Sequence, residues 1–147
     1  MIDKSHIGTV VSHHTVEVEA GRLRFFAKAI GQGDERYTDL DAARVRGDAN
    51  LAVPPTFLFC LDMDAPNPRA TMDLLGIDIG KVLHGEQSFT YHRMAFAGER
   101  LSFEGRIVDI YDKKGGALEF VVRRTRVGNQ HGTLVAELRS STVVRNG

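Results

Sequence analysis

The sequence lacks tryptophan altogether and has one cysteine, four prolines and no surplus of either charge. One cysteine excludes an intramolecular disulfide, and Cys60 lies in the apolar run 56–61, which favours a buried thiol. Nineteen basic side chains balance nineteen acidic ones, which argues against nucleic acid or an anionic membrane as partner. No stretch approaches the roughly 20 apolar residues of a membrane span, and residues 1–10 do not resemble a signal peptide. We therefore expect a cytoplasmic protein.

What is present suits one globular domain. The 147 residues are 42% hydrophobic and 26% charged, and no repeat, low-complexity segment or linker divides them. We expect a single domain over residues 1–147.

The first half of the chain has helical patterns. Residues 15–19 alternate briefly as a short strand would, and apolar side chains then recur at helical spacing over 23–30. Residues 39–46 allow about two further helical turns. Pro54 and Pro55 suit the first turn of a helix that continues through an apolar run to Met63. Because that run is apolar on nearly every side, it predicts a long, buried central helix.

The second half has strand patterns. Four segments are rich in Val, Ile, Phe, Thr and Tyr: 82–93, 99–111, 117–127 and 133–145. The breaks between them are short and contain Gly or Asn, which suits hairpin turns. Residues 64–80 read as a loop with a helical turn near 72–75. Helices followed by strands predict an α+β fold, with a four-strand antiparallel meander joined by the early strand to give about five strands.

Two sets of residues resemble the N-terminal MaoC-like dehydratase family. The first is Phe-Ala-Lys-Ala-Ile-Gly at 26–31, Tyr-Thr-Asp at 37–39 and Ala-Val-Pro-Pro-Thr-Phe at 52–57. The second is Leu-His-Gly-Glu-Gln-Ser-Phe-Thr-Tyr-His-Arg at 83–93, followed by Ala-Gly-Glu at 97–99. The resemblance implies a hot-dog fold, in which a curled sheet wraps the central helix, and a thioester substrate. It also implies an assembly, either a homodimer or a heterodimer with a catalytic subunit.

The usual catalytic pair of that wider class is replaced in this chain. Catalytic members have Gly-Asp and, five residues after the Asp, a His. Gly31 matches the glycine, but Gln32 and Tyr37 fall on the acidic and histidine positions. A glutamine takes no proton near neutral pH, and a tyrosine hydroxyl ionises only near pH 10. Asp34 is either a displaced carboxylate or a turn residue beside Gly33.

The start of the central helix is the implied site for the thioester carbonyl. Amides in the first turn of a helix have no partner within the helix, and Thr56 lies where the family often has glycine. The Thr56 N–H is expected to be available, whereas Pro54 and Pro55 have none. The alternative is that the two prolines only set the start of the helix. Tyr37, Pro55, Thr56 and Phe57 are the predicted substrate-binding residues here.

The second motif supplies further candidates. His84 and Glu86 lie on one strand face if simple alternation holds, and are the predicted acid/base pair. A structural role for His84 at a dimer interface is the competing interpretation. Gly85 and Gln87 join the predicted substrate-binding set, and His92 ranks below His84.

Other charged residues leave alternatives open. Arg123, Arg124 and Arg126 are either a solvated strand face or a grip for the phosphates of coenzyme A or a carrier protein. No His, Cys, Asp and Glu spacing indicates a metal, and no glycine motif indicates a nucleotide cofactor. We expect neither.

Three functions remain. The first is a subunit of a 3-hydroxyacyl-CoA or acyl-carrier-protein dehydratase, which shapes the acyl site while a partner supplies Asp and His. The second is a self-sufficient hydratase, or a thioesterase that activates water with Asp62, Asp64 or Glu86. The third is a non-enzymatic module that binds acyl thioesters.

Overall fold

A five-stranded antiparallel sheet forms one layer of the computed structural model, which describes residues 1–147. Its strands are β1 (Val10–Glu17), β2 (Val82–Tyr91), β3 (Arg100–Lys113), β4 (Leu118–Gly128) and β5 (Leu134–Arg145). They lie in the order β1-β3-β4-β5-β2. The predicted α+β hot-dog fold is confirmed, and the β-rich segments lie within two residues of their predicted bounds because strand composition and turn residues both mark them.

The helices are short and lie against one face of the sheet. They are α1 (Ala20–Ala29), α2 (Leu40–Val45), α3 (Phe57–Asp62) and α4 (Ala70–Leu75). None of them is long and apolar enough to cross a membrane. The central helix α3 begins after the predicted prolines, but its six residues make it shorter than the long helix expected.

The strand order differs from the predicted four-strand meander. Only β3, β4 and β5 follow one another in the sheet, and β2 pairs with β5 instead of β3. The break at Ala97 and Gly98 is therefore not a hairpin. Residues 92–99 leave the sheet edge and bond to the segment before α3, through Val53 N–H to Ala95 O and Ala97 N–H to Leu51 O. These hydrogen bonds hold the chain that follows β2 beside the residues that precede α3.

The core lies between α3 and the concave face of the sheet. Phe57, Leu58 and Leu61 of α3 are each at most 3% exposed. The sheet residues in the same cluster include Leu101, Phe103, Val127, Val135 and Leu138. Burying side chains of this size stabilises the fold by roughly 1.5–3 kcal/mol each, which holds α3 in place without any need for high intrinsic helix stability.

A buried ion pair fixes the far end of α3 to the sheet. Asp62 accepts two hydrogen bonds from the Arg123 guanidinium, at 2.9 and 3.2 Å, and one from the Thr125 hydroxyl at 3.3 Å. Arg123 also donates to the Ser12 hydroxyl on β1. A side chain at Gly105 would collide with the Arg123 guanidinium, so this glycine leaves room for the arginine to cross the sheet.

Candidate functional site

A pocket of about 310 Å³ opens beside the first turn of α3. This volume is at the lower end of the range for small-molecule sites, roughly 300–1,000 Å³. Its walls are mainly apolar, with Val53, Leu58 and Val135 among them. The polar side chains at its rim are those of Tyr37, Tyr91, His92 and Arg93.

The amide at the start of α3 is already hydrogen-bonded. Thr56 N–H donates to the Tyr91 hydroxyl oxygen, at 2.8 Å. The expectation that this amide is free is therefore wrong, because a residue 35 positions away in sequence occupies it. Thr56 has φ 74° and ψ −17°, a left-handed conformation that favours glycine. The backbone at Thr56 thus has a conformation that glycine adopts more readily than threonine.

Tyr91 is held at the rim by its neighbours on β2. Its ring stacks on that of Phe89, with centroids 5.9 Å apart and planes 4° apart. Burial raises the pKa of the Tyr91 hydroxyl, and the hydrogen bond from Thr56 offsets this only in part. The hydroxyl is therefore protonated at neutral pH.

Tyr37 enters the same pocket from a short 3-10 turn, Glu35–Tyr37. Asp34 caps this turn by accepting the Arg36 N–H, and it also pairs with Arg46. The hydrogen bond from Arg36 and the charges of the two arginines lower the pKa of the Asp34 carboxyl. Gln32 accepts the Asp34 N–H at 3.1 Å. Gln32 and Asp34 thus stabilise the turn, and only Tyr37 of this set lines the pocket.

The geometry agrees with the comparisons to known proteins. The profile of the family described as FAS1-like, dehydratase domain region, matches residues 5–138. The chain belongs to this family. A UPF0336 protein of Streptomyces griseus is 33% identical over 145 residues, covering 98% of this chain and 95% of the relative. A UPF0336 protein of Saccharopolyspora erythraea is 33% identical over 146 residues, covering 98% and 92%.

Solved structures show the same fold for this dehydratase-region chain. The HadBC (3R-hydroxyacyl-ACP dehydratase) complex of Mycobacterium tuberculosis has a TM-score of 0.78 at 24% identity, covering 94% of this chain and 96% of that one. A MaoC-like dehydratase has a TM-score of 0.82 at 21% identity, covering 96% and 42%. The hydratase PhaJ1 of Pseudomonas aeruginosa has a TM-score of 0.70 at 16% identity, covering 96% and 83%. The predicted MaoC-like resemblance is confirmed.

The predicted substrate-binding residues of the dehydratase-region chain divide between two cavities. Tyr37 and Pro55 line the 310 Å³ pocket. Thr56, Gly85 and Gln87 line a wider, open groove of about 560 Å³ along β2. Phe57 borders neither cavity; it is 3% exposed and packs against Phe26 in the core.

The predicted pair of His84 and Glu86 does not share one strand face. A β-bulge at Gly85 shifts the register, so that His84 faces Thr142 and Glu86 faces Ser141. Thr142 and Ser141 are adjacent on β5, so their side chains point to opposite sides of the sheet. Because paired residues share a side, His84 and Glu86 also point to opposite sides. Both candidates border the open groove along β2, and neither lines the 310 Å³ pocket.

One histidine that ranked lower in the sequence lies at the pocket instead. The His92 ring nitrogen Nε2 lies 3.1 Å from a carboxylate oxygen of Glu137, and His92 lines the pocket. Sequence spacing does not reveal this pair, since 45 residues separate its members. Tyr91 was missed for the same reason, although Phe89 and Tyr91 alternate within the predicted strand.

The predicted candidates Asp62, Asp64 and Arg123 form ion pairs and do not line the 310 Å³ pocket. Asp62 is 7% exposed and paired with Arg123, while Asp64 pairs with Arg22. Arg123 therefore points inward, unlike the exposed Arg124 and Arg126. No group of three or more His, Cys, Asp and Glu side chains is placed to hold a metal.

Proposed function

We propose that this chain is one subunit of a 3-hydroxyacyl-thioester dehydratase, which also acts as an enoyl-thioester hydratase. The observation that carries the proposal is the apolar pocket at the start of α3, which Tyr37 and Tyr91 line. Gln32 and Tyr37 stand at the positions where catalytic relatives have the Asp and His pair. Such a pocket suits an acyl chain and a thioester carbonyl. No carboxylate is among the residues that line it, so we assign the Asp and His to a partner subunit.

The reaction defines what each subunit contributes. In hydration, water adds across the double bond, with hydroxyl at C3 and a proton at C2, while the thioester carbonyl becomes enolate-like. A base and an acid must move the proton, and donors must hold the carbonyl oxygen. We assign the acyl pocket to this chain and the proton transfer to the partner.

The free edge of β2 supports the need for a partner. This strand pairs only with β5, and eight of its ten residues are exposed. Leu83 and Tyr91 are each 47% exposed on it. An unpaired edge with apolar side chains invites pairing with another chain. Two of the similar structures are complexes, HadBC and ChsH1-ChsH2 of Mycobacterium tuberculosis. A second copy of this chain is the other possible partner.

The test is hydration of crotonyl-CoA by the chain alone and by its complex with a MaoC-like subunit that carries the Asp and His pair. We expect turnover only from the complex. Robust turnover by the lone chain contradicts the assignment of proton transfer to a partner.

A pocket-filling variant tests the acyl site within that complex. Met94 lines the pocket and is 43% exposed, so Met94→Trp fills the space without disturbing the core. We expect it to lower kcat/KM at least about tenfold, a loss of roughly 1.4 kcal/mol. Leu74→Trp is the control, because Leu74 is equally exposed and lies on α4. Equal activity of the two variants contradicts the placement of the acyl chain.

One observation favours a second function, a self-sufficient hydratase. His92 with Glu137 forms a carboxylate-oriented histidine at the pocket rim, the arrangement that general acid/base catalysis uses. If the lone chain is active, His92→Asn removes that activity, whereas His84→Asn does not. Activity that survives His92→Asn excludes this alternative.

A further inference from the structure

The Tyr91 hydroxyl has one hydrogen-bonding capacity that the protein leaves unused. A tyrosine hydroxyl has one proton to donate and lone pairs to accept with. Its oxygen accepts the Thr56 N–H at 2.8 Å. No protein group accepts its proton among the hydrogen bonds of the structure. The proton is thus free for a ligand in the pocket that Tyr91 lines.

We propose that the Tyr91 hydroxyl is the hydrogen-bond donor to the carbonyl oxygen of the acyl thioester, in place of the Thr56 amide. This inference rests on the proposed function and names the contact that holds the substrate. The amide acts through the hydroxyl: by donating to the tyrosine oxygen, it polarises the O–H and strengthens the bond that this group donates.

The surroundings of the hydroxyl favour a neutral acceptor. Apart from His92 and Arg93 at the rim, the pocket walls are mainly apolar, and Tyr37 is the second hydroxyl there. A carbonyl is an acceptor without charge, so it enters such a pocket at lower desolvation cost than a carboxylate or phosphate. Because burial raises the pKa of Tyr91, its proton is retained at neutral pH. The stacking on Phe89 holds the ring and hence the direction of the O–H.

The opposite interpretation is that Tyr91 blocks the amide and must move before a substrate binds. The two interpretations predict opposite effects of Tyr91→Phe, which removes the hydroxyl but keeps the ring stacked on Phe89. As a donor, Tyr91 is needed for binding. As a block, its removal frees the Thr56 N–H and strengthens binding.

The experiment follows the carbonyl directly, with crotonyl-CoA labelled with ¹³C at the thioester carbon. Infrared spectra are recorded for the probe bound to the wild-type complex and to the complex containing Tyr91→Phe. The difference between the two spectra isolates the absorption band of the thioester carbonyl that this subunit binds. We expect a band shifted to lower frequency in wild type and absent in the variant, with binding about tenfold weaker.

Tyr111→Phe is the matched control. Tyr111 also stacks on a phenylalanine, Phe120, with centroids 4.8 Å apart, but it lies outside the pocket. Far-UV circular dichroism checks that each variant folds. A second variant, 3-fluorotyrosine placed at position 91, has a more acidic hydroxyl in an unchanged fold, and we expect it to shift the carbonyl band further.

The outcomes separate this inference from the proposed function. Crotonyl-CoA hydration with identical carbonyl spectra for wild type and Tyr91→Phe overturns the inference alone. Tighter binding by Tyr91→Phe also overturns it and supports the blocking interpretation. No crotonyl-CoA binding by the wild-type complex overturns the inference and the proposed function together.

Discussion

The backbone at Thr56 is the most unusual feature at the scale of single residues. Its φ of 74° costs an L-residue roughly 1–2 kcal/mol. The conformation persists because buried Pro54 and α3 flank Thr56 in the chain and the Tyr91 hydroxyl accepts its N–H. A strained residue held by its surroundings is typical of functional sites. Here the strain directs the amide to Tyr91 rather than into the pocket.

Replacing Thr56 with glycine tests this strain. Glycine adopts the left-handed conformation freely, although it loses more entropy on folding. We expect Thr56→Gly to raise the free energy of unfolding by up to about 1 kcal/mol, measured by urea denaturation. Thr38→Gly is the control, because Thr38 has φ −130° and gains nothing from the change; we expect it to destabilise. Equal destabilisation by both variants contradicts the strain at Thr56.

The sequence predicts some of these residues and not others for a physical reason. Pro54 and Pro55 mark the start of α3 because proline acts locally on the backbone. A motif with fixed spacing identifies Gln32 and Tyr37. The His92 pair with Glu137 depends on the pairing of β2 with β5, and the contact of Tyr91 with Thr56 depends on the packing of β2 beside α3; these join residues 45 and 35 positions apart. Local patterns contain no information on such contacts.

At the scale of secondary-structure elements, the bulge in β2 has the largest effect on the site. Gly85 is the extra residue, and without it His84 and Glu86 would both follow the simple alternation. The bulge turns His84 and Glu86 to different sides of the sheet. It does not shift Phe89 and Tyr91 relative to each other, since their partners on β5 are Leu138 and Ala136.

A side chain at Gly85 tests the bulge. A Cβ atom there would lie 2.9 Å from Val143 Cγ2 and 3.0 Å from the Ser141 carbonyl oxygen, so β2 or β5 must move. We expect Gly85→Ala to lower the free energy of unfolding by about 1–3 kcal/mol, the usual cost of overpacking. Gly33→Ala is the control, because nothing lies within 4 Å of its Cβ position. The measurement is again urea denaturation, and equal stability of the two variants contradicts the close approach at Gly85.

At the scale of the whole molecule, strand composition predicts the sheet but not its order. Each strand contains its own β-forming residues, so composition predicts that the strand forms. The strand that pairs with β2 depends instead on the packing of residues 92–99. Those residues bond to the segment before α3 and carry the chain away from a hairpin. The same path brings the end of β2 to the pocket. The error in the predicted meander and the failure to predict Tyr91 therefore have one cause.

The two ends of the described chain meet at one buried carboxylate. Glu119 on β4 is 4% exposed and accepts hydrogen bonds from the Ile2 N–H and the Asn146 side-chain amide. Burial alone would raise the pKa of Glu119. The hydrogen bonds from Ile2 and Asn146, with the positive charge of Lys4 nearby, outweigh burial and lower it below its ordinary value of 4.5.

This lowered pKa predicts how stability depends on pH. Because the folded state holds the Glu119 proton less tightly than the unfolded state, ionised Glu119 stabilises the fold fully above about pH 4.5. That contribution is lost as the pH falls through the lower pKa of the folded state. We expect wild type to exceed Glu119→Gln in free energy of unfolding by a constant amount from pH 7 to about pH 5. The difference then shrinks in more acidic buffer, as followed by urea denaturation at each pH.

Glu104→Gln is the control, since that side chain is 41% exposed and pairs only with Arg106. A difference that grows on acidification would show that Glu119 is protonated in the fold, and the connection between the two ends would then not depend on its charge.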